Sequence, residues 1–176
     1  ADLQVTPMIY AAKSGIAAGA DYFRFGTGKK NLILLPGLGD GLRTVKGTAL
    51  PMSLYYRSLV KDYTVYMFSR KTDLPAGSTT RDMAQNLKEA MDVLGLETAS
   101  LVGVSMGGMI AQHFAADYPQ MLEKLVLVVT CCRENPILLE SLEEWIACAR
   151  GGDHTALMDS NLRRIYSDRY HRNNKL

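Results

Sequence analysis

One serine stands among three glycines in LVGVSMGGMIAQ, residues 101–112. An apolar run precedes it and a helix-like run follows, so Ser105 falls where a buried strand hands over to a helix. Gly103-Val104-Ser105-Met106-Gly107 has the spacing G-x-S-x-G. A turn tight enough to lift a serine Oγ into open space needs strained backbone angles and brings two backbone segments close together. Glycines two residues to either side remove the Cβ atoms that would collide. The helix that follows points its free N–H groups at the place where negative charge would develop. That combination suits a serine nucleophile held at the tip of a sharp turn. The plainer reading is a serine chosen for its size in an ordinary strand-to-helix turn. The flanking elements and a third glycine, Gly108, weigh against it. A phosphate-binding loop fits less well, because GVSMGG lacks both the P-loop lysine and the dinucleotide glycine spacing.

The elements that must hold this turn alternate. DYFRFGTG (21–28) reads as a strand running into a turn, and NLILLPG (31–37) as a strand buried on both faces and stopped by Pro36 and Gly37. PMSLYYRSLVKD (51–62) reads as a helix with Leu54, Tyr55, Ser58 and Leu59 on one face, and YTVYMFS (63–69) as a strand. STTRDMAQNLKEAMDVLG (78–95) is the clearest helix, with a Ser/Thr cap at its start and Gly95 at its end. The strand ASLVGV (99–104), the helix MGGMIAQHFAADYP (106–119) and the strand KLVLVVT (124–130) complete the series. Strand and helix in strict alternation predict βαβ units and a parallel sheet. After residue 134 the pattern changes to two helices, 136–152 and 155–170, with no strand between or after them.

Residues 31 to about 130 resemble the N-terminal part of the α/β-hydrolase fold, a parallel sheet with helices on both faces. LILLPGLGDG is similar to its oxyanion loop. LVGVSMGGMIAQHFAADYP is similar to the elbow and helix of its esterase, enol-lactonase and non-haem haloperoxidase-like members. The resemblance implies a core part at 1–134 and the start of a helical cap at 135–176. It implies that Ser105 attacks an acyl carbon as nucleophile and forms an acyl-enzyme, with the backbone N–H groups of Leu38 and Met106 as the oxyanion hole. The sequence itself shows no metal constellation and no cofactor signature. Where the family has a histidine before the first glycine of the oxyanion loop, Pro36 stands here. The N–H that matters belongs to Leu38, so the hole survives that change, while the orientation of the loop is put in question.

In this family the triad order is serine, acid, histidine. His113 lies two turns along the elbow helix and reads as structural, His154 as a cap or surface residue between the last two helices, and His171 as part of the charged tail. Glu134 is the best-placed acid, whereas Asp153, Asp159 and Asp168 read as helix caps or solvated positions. The expectation is a nucleophile and oxyanion hole without their base, in a chain truncated after the sixth-strand region. Such a chain would hydrolyse esters weakly or not at all. The competing reading is a non-catalytic ligand-binding or interaction module on the same fold.

Length and composition agree with one soluble domain. The chain has 176 residues, 47% of them hydrophobic, and a net charge of +2. Scattered Lys and Arg argue against a nucleic-acid partner. The implied partner is a small acyl substrate. No run approaches the ~20 apolar residues that span a bilayer, and MIYAAKSGIAAGA lacks a signal-peptide core. Cys131, Cys132 and Cys148 form no metal-ligand spacing. The first two read as small buried hydrophobes, which points to a reducing, cytoplasmic setting. Met106, Met109, Leu142 and Trp145 could line an apolar pocket, although such residues are more often core. Leu125 to Thr130 carry no charge and no proline, so as an exposed sheet edge they would favour self-association.

Overall fold

The computed structural model describes residues 12–38 and 44–173. Among them run six strands, β1 (Lys13–Ala17), β2 (Ala20–Phe25), β3 (Lys30–Leu35), β4 (Tyr63–Phe68), β5 (Ala99–Val104) and β6 (Leu122–Val128). The helices are α1 (Ala49–Tyr55), α2 (Thr80–Val93), α3 (Met106–Asp117), α4 (Pro136–Arg150), α5 (His154–Ile165) and α6 (Asp168–Asn173). The sheet order is β1-β2-β4-β3-β5-β6. Strands β4, β3, β5 and β6 are parallel, and β1 and β2 add an antiparallel hairpin at one edge.

Strand β1 was not visible as a strand in the sequence, because Ser14 and Gly15 are poor strand formers. It forms through its turn: Ala18 at φ 48° and Gly19 at φ 81° give the two-residue hairpin whose twist matches the flanking strands. Helix α1 also differs from expectation. It ends at Tyr55, and the chain continues in turns to residue 62. Leu54 and Tyr55 are exposed, at 39% and 75%, and Ser53, Met52 and Tyr56 face inward instead. Helix α2 follows the sequence closely. Thr79 and Asp82 form a reciprocal capping box, and Gly95 turns out of the helix at φ 65°.

Period-two alternation sends each parallel strand's side chains to two layers. Ile33, Leu35, Tyr66, Phe68 and Leu101 meet α2 and α3 on one face, against Leu87, Met91, Ile110 and Phe114. Leu32, Leu34, Val65, Met67 and Val102 face the other way, toward Val45, Met52, Tyr56 and Val60. From β3 the chain moves to β4 on one side, then crosses to β5 and β6 on the other. Open α/β sheets collect their sites at the carboxyl ends of the strands flanking such a reversal.

The chain divides into two compact units, Ala1–Cys132 and Arg133–Leu176. The second holds α4, capped by Asn135 with Pro136 in its first turn, and α5, capped by Asp153. Trp145 Nε1 donates to Ser160 Oγ at 3.1 Å, and Arg164 pairs with Glu144 at 2.6 Å. The helix expected over 155–170 breaks at Tyr166–Ser167 into α5 and α6. No helix of the described residues is long and apolar enough to cross a membrane.

Candidate active site

Ser105 occupies the one-residue turn between β5 and α3, with φ 52° and ψ −119° and its side chain exposed. A non-glycine residue with such a φ is held there by its surroundings. Three hydrogen bonds do this. The Ser105 N–H donates to Val128 O at 3.0 Å, its carbonyl accepts from Gly108 N at 2.9 Å, and the Thr130 hydroxyl donates to the same carbonyl at 2.7 Å.

The glycines are there because of close approaches. A Cβ on Gly103 would come within 2.6 Å of Gly107 O and Gly108 Cα, and one on Gly107 would run into the Leu35 carbonyl. Gly108 is pressed against the Thr130 side chain in the same way. To reach that position Val129 takes φ 44°, so β6 ends at Val128 rather than at the expected Thr130. Cys131 and Cys132 follow outside the strand, half-buried and exposed, and not in the core as the sequence suggested. No cysteine of the chain is paired.

Serine is a favoured N-cap because its hydroxyl takes an N–H of the first helical turn. Ser105 is the N-cap of α3, yet it makes no side-chain cap bond. Thr79, Asn135 and Asp153 each make that bond at the starts of α2, α4 and α5. In that backbone conformation Ser105 Oγ takes no N–H of the helix it opens.

Gly37 lies beside it: a Cβ there would be 3.5 Å from Ser105 Cβ and 4.0 Å from Oγ. Leu38 follows, 48% exposed. Met106 is the first residue of α3, where N–H groups have no partner further back in the helix. The fold therefore brings the Pro36-Gly37-Leu38 loop and the elbow together.

Arg70 was not singled out in the sequence. It follows β4 at a strand's carboxyl end, the position that could have flagged it. The side chain is 7% exposed, and Nη2 donates to Pro36 O at 2.6 Å. Its Nε has no partner among the described residues, and burial pulls the guanidinium down to about 10. A buried cation on the carbonyl of Pro36 thus fixes the loop where the resembling family carries a histidine. Beside it, Ser69 Oγ accepts from Val45 N at 3.0 Å, which ties the far end of the loop to β4.

His113 is eight residues along α3, about 12 Å from Ser105 by helical rise, and faces the charge of Asp117. His154 opens α5 and is exposed, while Asp153 makes the cap. Glu134 is an exposed residue just before α4, and Asp159 pairs with Arg163 at 2.7 Å. Met106 and Met109 are not among the described residues lining the cavity next to the elbow, and Leu142 and Trp145 belong to the second unit. No cluster of three metal-ligating side chains occurs among the described residues.

Residues 30–156 match the alpha/beta hydrolase fold family, and the chain belongs to it. Over 123 residues it is 36% identical to the 2-hydroxy-6-oxononadienedioate/2-hydroxy-6-oxononatrienedioate hydrolase of Paraburkholderia phymatum, covering 66% of this chain and 41% of that protein. Over 58 residues it is 41% identical to the homoserine O-acetyltransferase of Thermus thermophilus, 33% of this chain and 15% of that one. The solved enol-lactonase of Burkholderia xenovorans LB400 has the same fold, with a TM-score of 0.69 at 20% identity, over 92% of this chain and 62% of its own. The chain spans less than half the length of both curated relatives.

Proposed function

We propose that the protein is a serine hydrolase of this family acting on a small carboxylic ester, lactone or thioester. Ser105 Oγ bonds to the carbonyl carbon, and the carbonyl electron pair moves onto oxygen. The N–H groups of Leu38 and Met106 receive that oxyanion, and the Oγ proton passes to a general base. Collapse expels the alcohol or thiol and leaves an acyl-enzyme, which water then cleaves. The carrying observation is the N-cap serine that does not cap: an exposed hydroxyl held at φ 52° beside Gly37. Three unpaired thiols fit a reducing compartment such as the cytoplasm.

No described side chain of the first unit hydrogen-bonds Ser105 Oγ, so the 176-residue chain should turn over slowly. Without a triad partner, only ~10³–10⁴-fold acceleration over water is expected, from the oxyanion hole and binding. Incubation with p-nitrophenyl butanoate followed by peptide mass spectrometry should find a butanoyl group on Ser105 and none in Ser105→Ala. An adduct elsewhere, or one unaffected by that substitution, would exclude the serine as nucleophile.

A further inference from the structure

We infer that the cavity beside the elbow receives an apolar acyl chain of medium length, on the order of eight to twelve carbons. This inference rests on the serine reading and narrows its substrate class.

The cavity has a volume of about 360 Å³ and lies on the Val102 face of the sheet. Gly37 and Val104 form the end nearest Ser105, and Met52, Tyr56, Met67 and Val102 form the body. Gly37 is the residue whose Cβ position stands 4.0 Å from Ser105 Oγ. A carbonyl placed between Oγ and the Leu38 loop therefore has this cavity as its neighbour. Its size falls within the ~300–1,000 Å³ of ligand sites. A dry cavity of about 150 Å³ holds the six carbons of benzene, so about 360 Å³ holds roughly twice as many.

Among the described residues the lining carries no charged side chain. Its threonines are engaged locally: Thr48 Oγ1 donates to Val45 O at 2.7 Å, and Thr44 Oγ1 accepts from Lys46 N at 3.3 Å. Tyr56 is half-buried, and desolvation keeps its phenol neutral. Alkyl surface is stabilised there, while a carboxylate at the far end of the chain would lose water and gain no cation from the described lining. The dioate named for the Paraburkholderia relative is thus the kind of acyl group this cavity disfavours.

The test is calorimetric titration of the 176-residue chain, carrying Ser105→Ala, with unbranched monocarboxylates from butanoate to dodecanoate. Affinity should rise about two- to fourfold per methylene and level off between octanoate and dodecanoate. Decanedioate should bind at least tenfold more weakly than decanoate. Met52→Trp should move the plateau to shorter acids, and Tyr56→Ala should move it to longer ones, so either variant suffices if the other fails to fold. A flat series, or equal affinity for decanedioate and decanoate, would overturn the inference. Because the titration uses Ser105→Ala, it does not depend on nucleophilic attack. A steep series without a butanoyl adduct in the unsubstituted chain removes the serine reading alone. A flat series with that adduct removes this inference alone.

Discussion

The two faces of the sheet are made by the same strands and end differently. Toward α2 and α3 the side chains close almost completely, leaving about 30 Å³ beside Arg70, room for a water or so. Toward α1 they leave about 360 Å³. The closed face is filled by Phe114, Ile110, Met91 and Leu101, all at 0–1% exposure. The open face meets a short helix of seven residues, Ala49–Tyr55, and the turns that follow. One face secures the fold and the other leaves room for a ligand. Ser105 sits at the carboxyl end of β5, beside Gly37 and Val104 of the open face.

The strongest way to break this picture is to disturb the joint between the faces. Gly107→Ala would drive a methyl into the Leu35 carbonyl. Backbone cannot move there without opening β3 from α3, so a loss of more than about 4 kcal/mol is expected, among the rare large effects of single substitutions. Denaturant unfolding would show it, and near-normal stability would mean that the elbow is looser than its hydrogen bonds imply. Next in size is the contrast between the faces. Phe114→Ala should cost about 3–5 kcal/mol, whereas Met52→Ala, enlarging a space that already exists, should cost about 1 kcal/mol. Equal costs would mean that the open face is packed as tightly as the closed one.

Much of this was legible in the sequence, for reasons particular to each part. The glycines of the elbow report a close approach that only two backbones in contact can create, so G-x-S-x-G located Ser105 and its neighbouring elements. The Ser/Thr cap and Gly95 bounded α2 within a residue or two. Other features depended on partners distant in sequence. Strand β1 exists because of a hairpin turn and not because of its own residues. The inward face of α1 was misassigned because seven residues give too few turns for a period to emerge. Arg70 looked like an ordinary loop cation, since only the fold brings it to Pro36 O. Thr130, which bonds the Ser105 carbonyl, was read as the end of a strand for the same reason.

A smaller effect, of opposite sign, belongs to Ser105 itself. Glycine accepts φ 52° without penalty, so Ser105→Gly should stabilise the chain by about 1 kcal/mol while abolishing the acyl adduct. Thermal unfolding read beside adduct formation separates strain from chemistry. A destabilised Ser105→Gly would show that the serine side chain holds the turn instead of being strained by it.

The smallest stability effect concerns the edge where the open face ends. Strand β6 pairs with β5 alone among the described residues. Val126 and Val128 stand opposite Val102 and Val104, which line the cavity, so the apolar surface of that face continues outward to the rim of the sheet. There it is uncovered, with Val126 50% and Val128 38% exposed. An unprotected apolar edge is a template for pairing with another chain, and an inserted lysine is a usual defence. Val126→Lys, at a half-exposed site, should change the unfolding free energy by no more than about 0.5 kcal/mol. Self-association should respond far more. Sedimentation at tens of micromolar should show the unsubstituted chain associating and the lysine variant shifted toward monomer. The matched control is Gln120→Lys, an exposed substitution just before the same strand, which adds the same single charge without interrupting the apolar rim. If both variants lower association equally, net charge is responsible. If only Val126→Lys does so, the open face of the sheet carries its apolar surface all the way to an edge that a second chain can use.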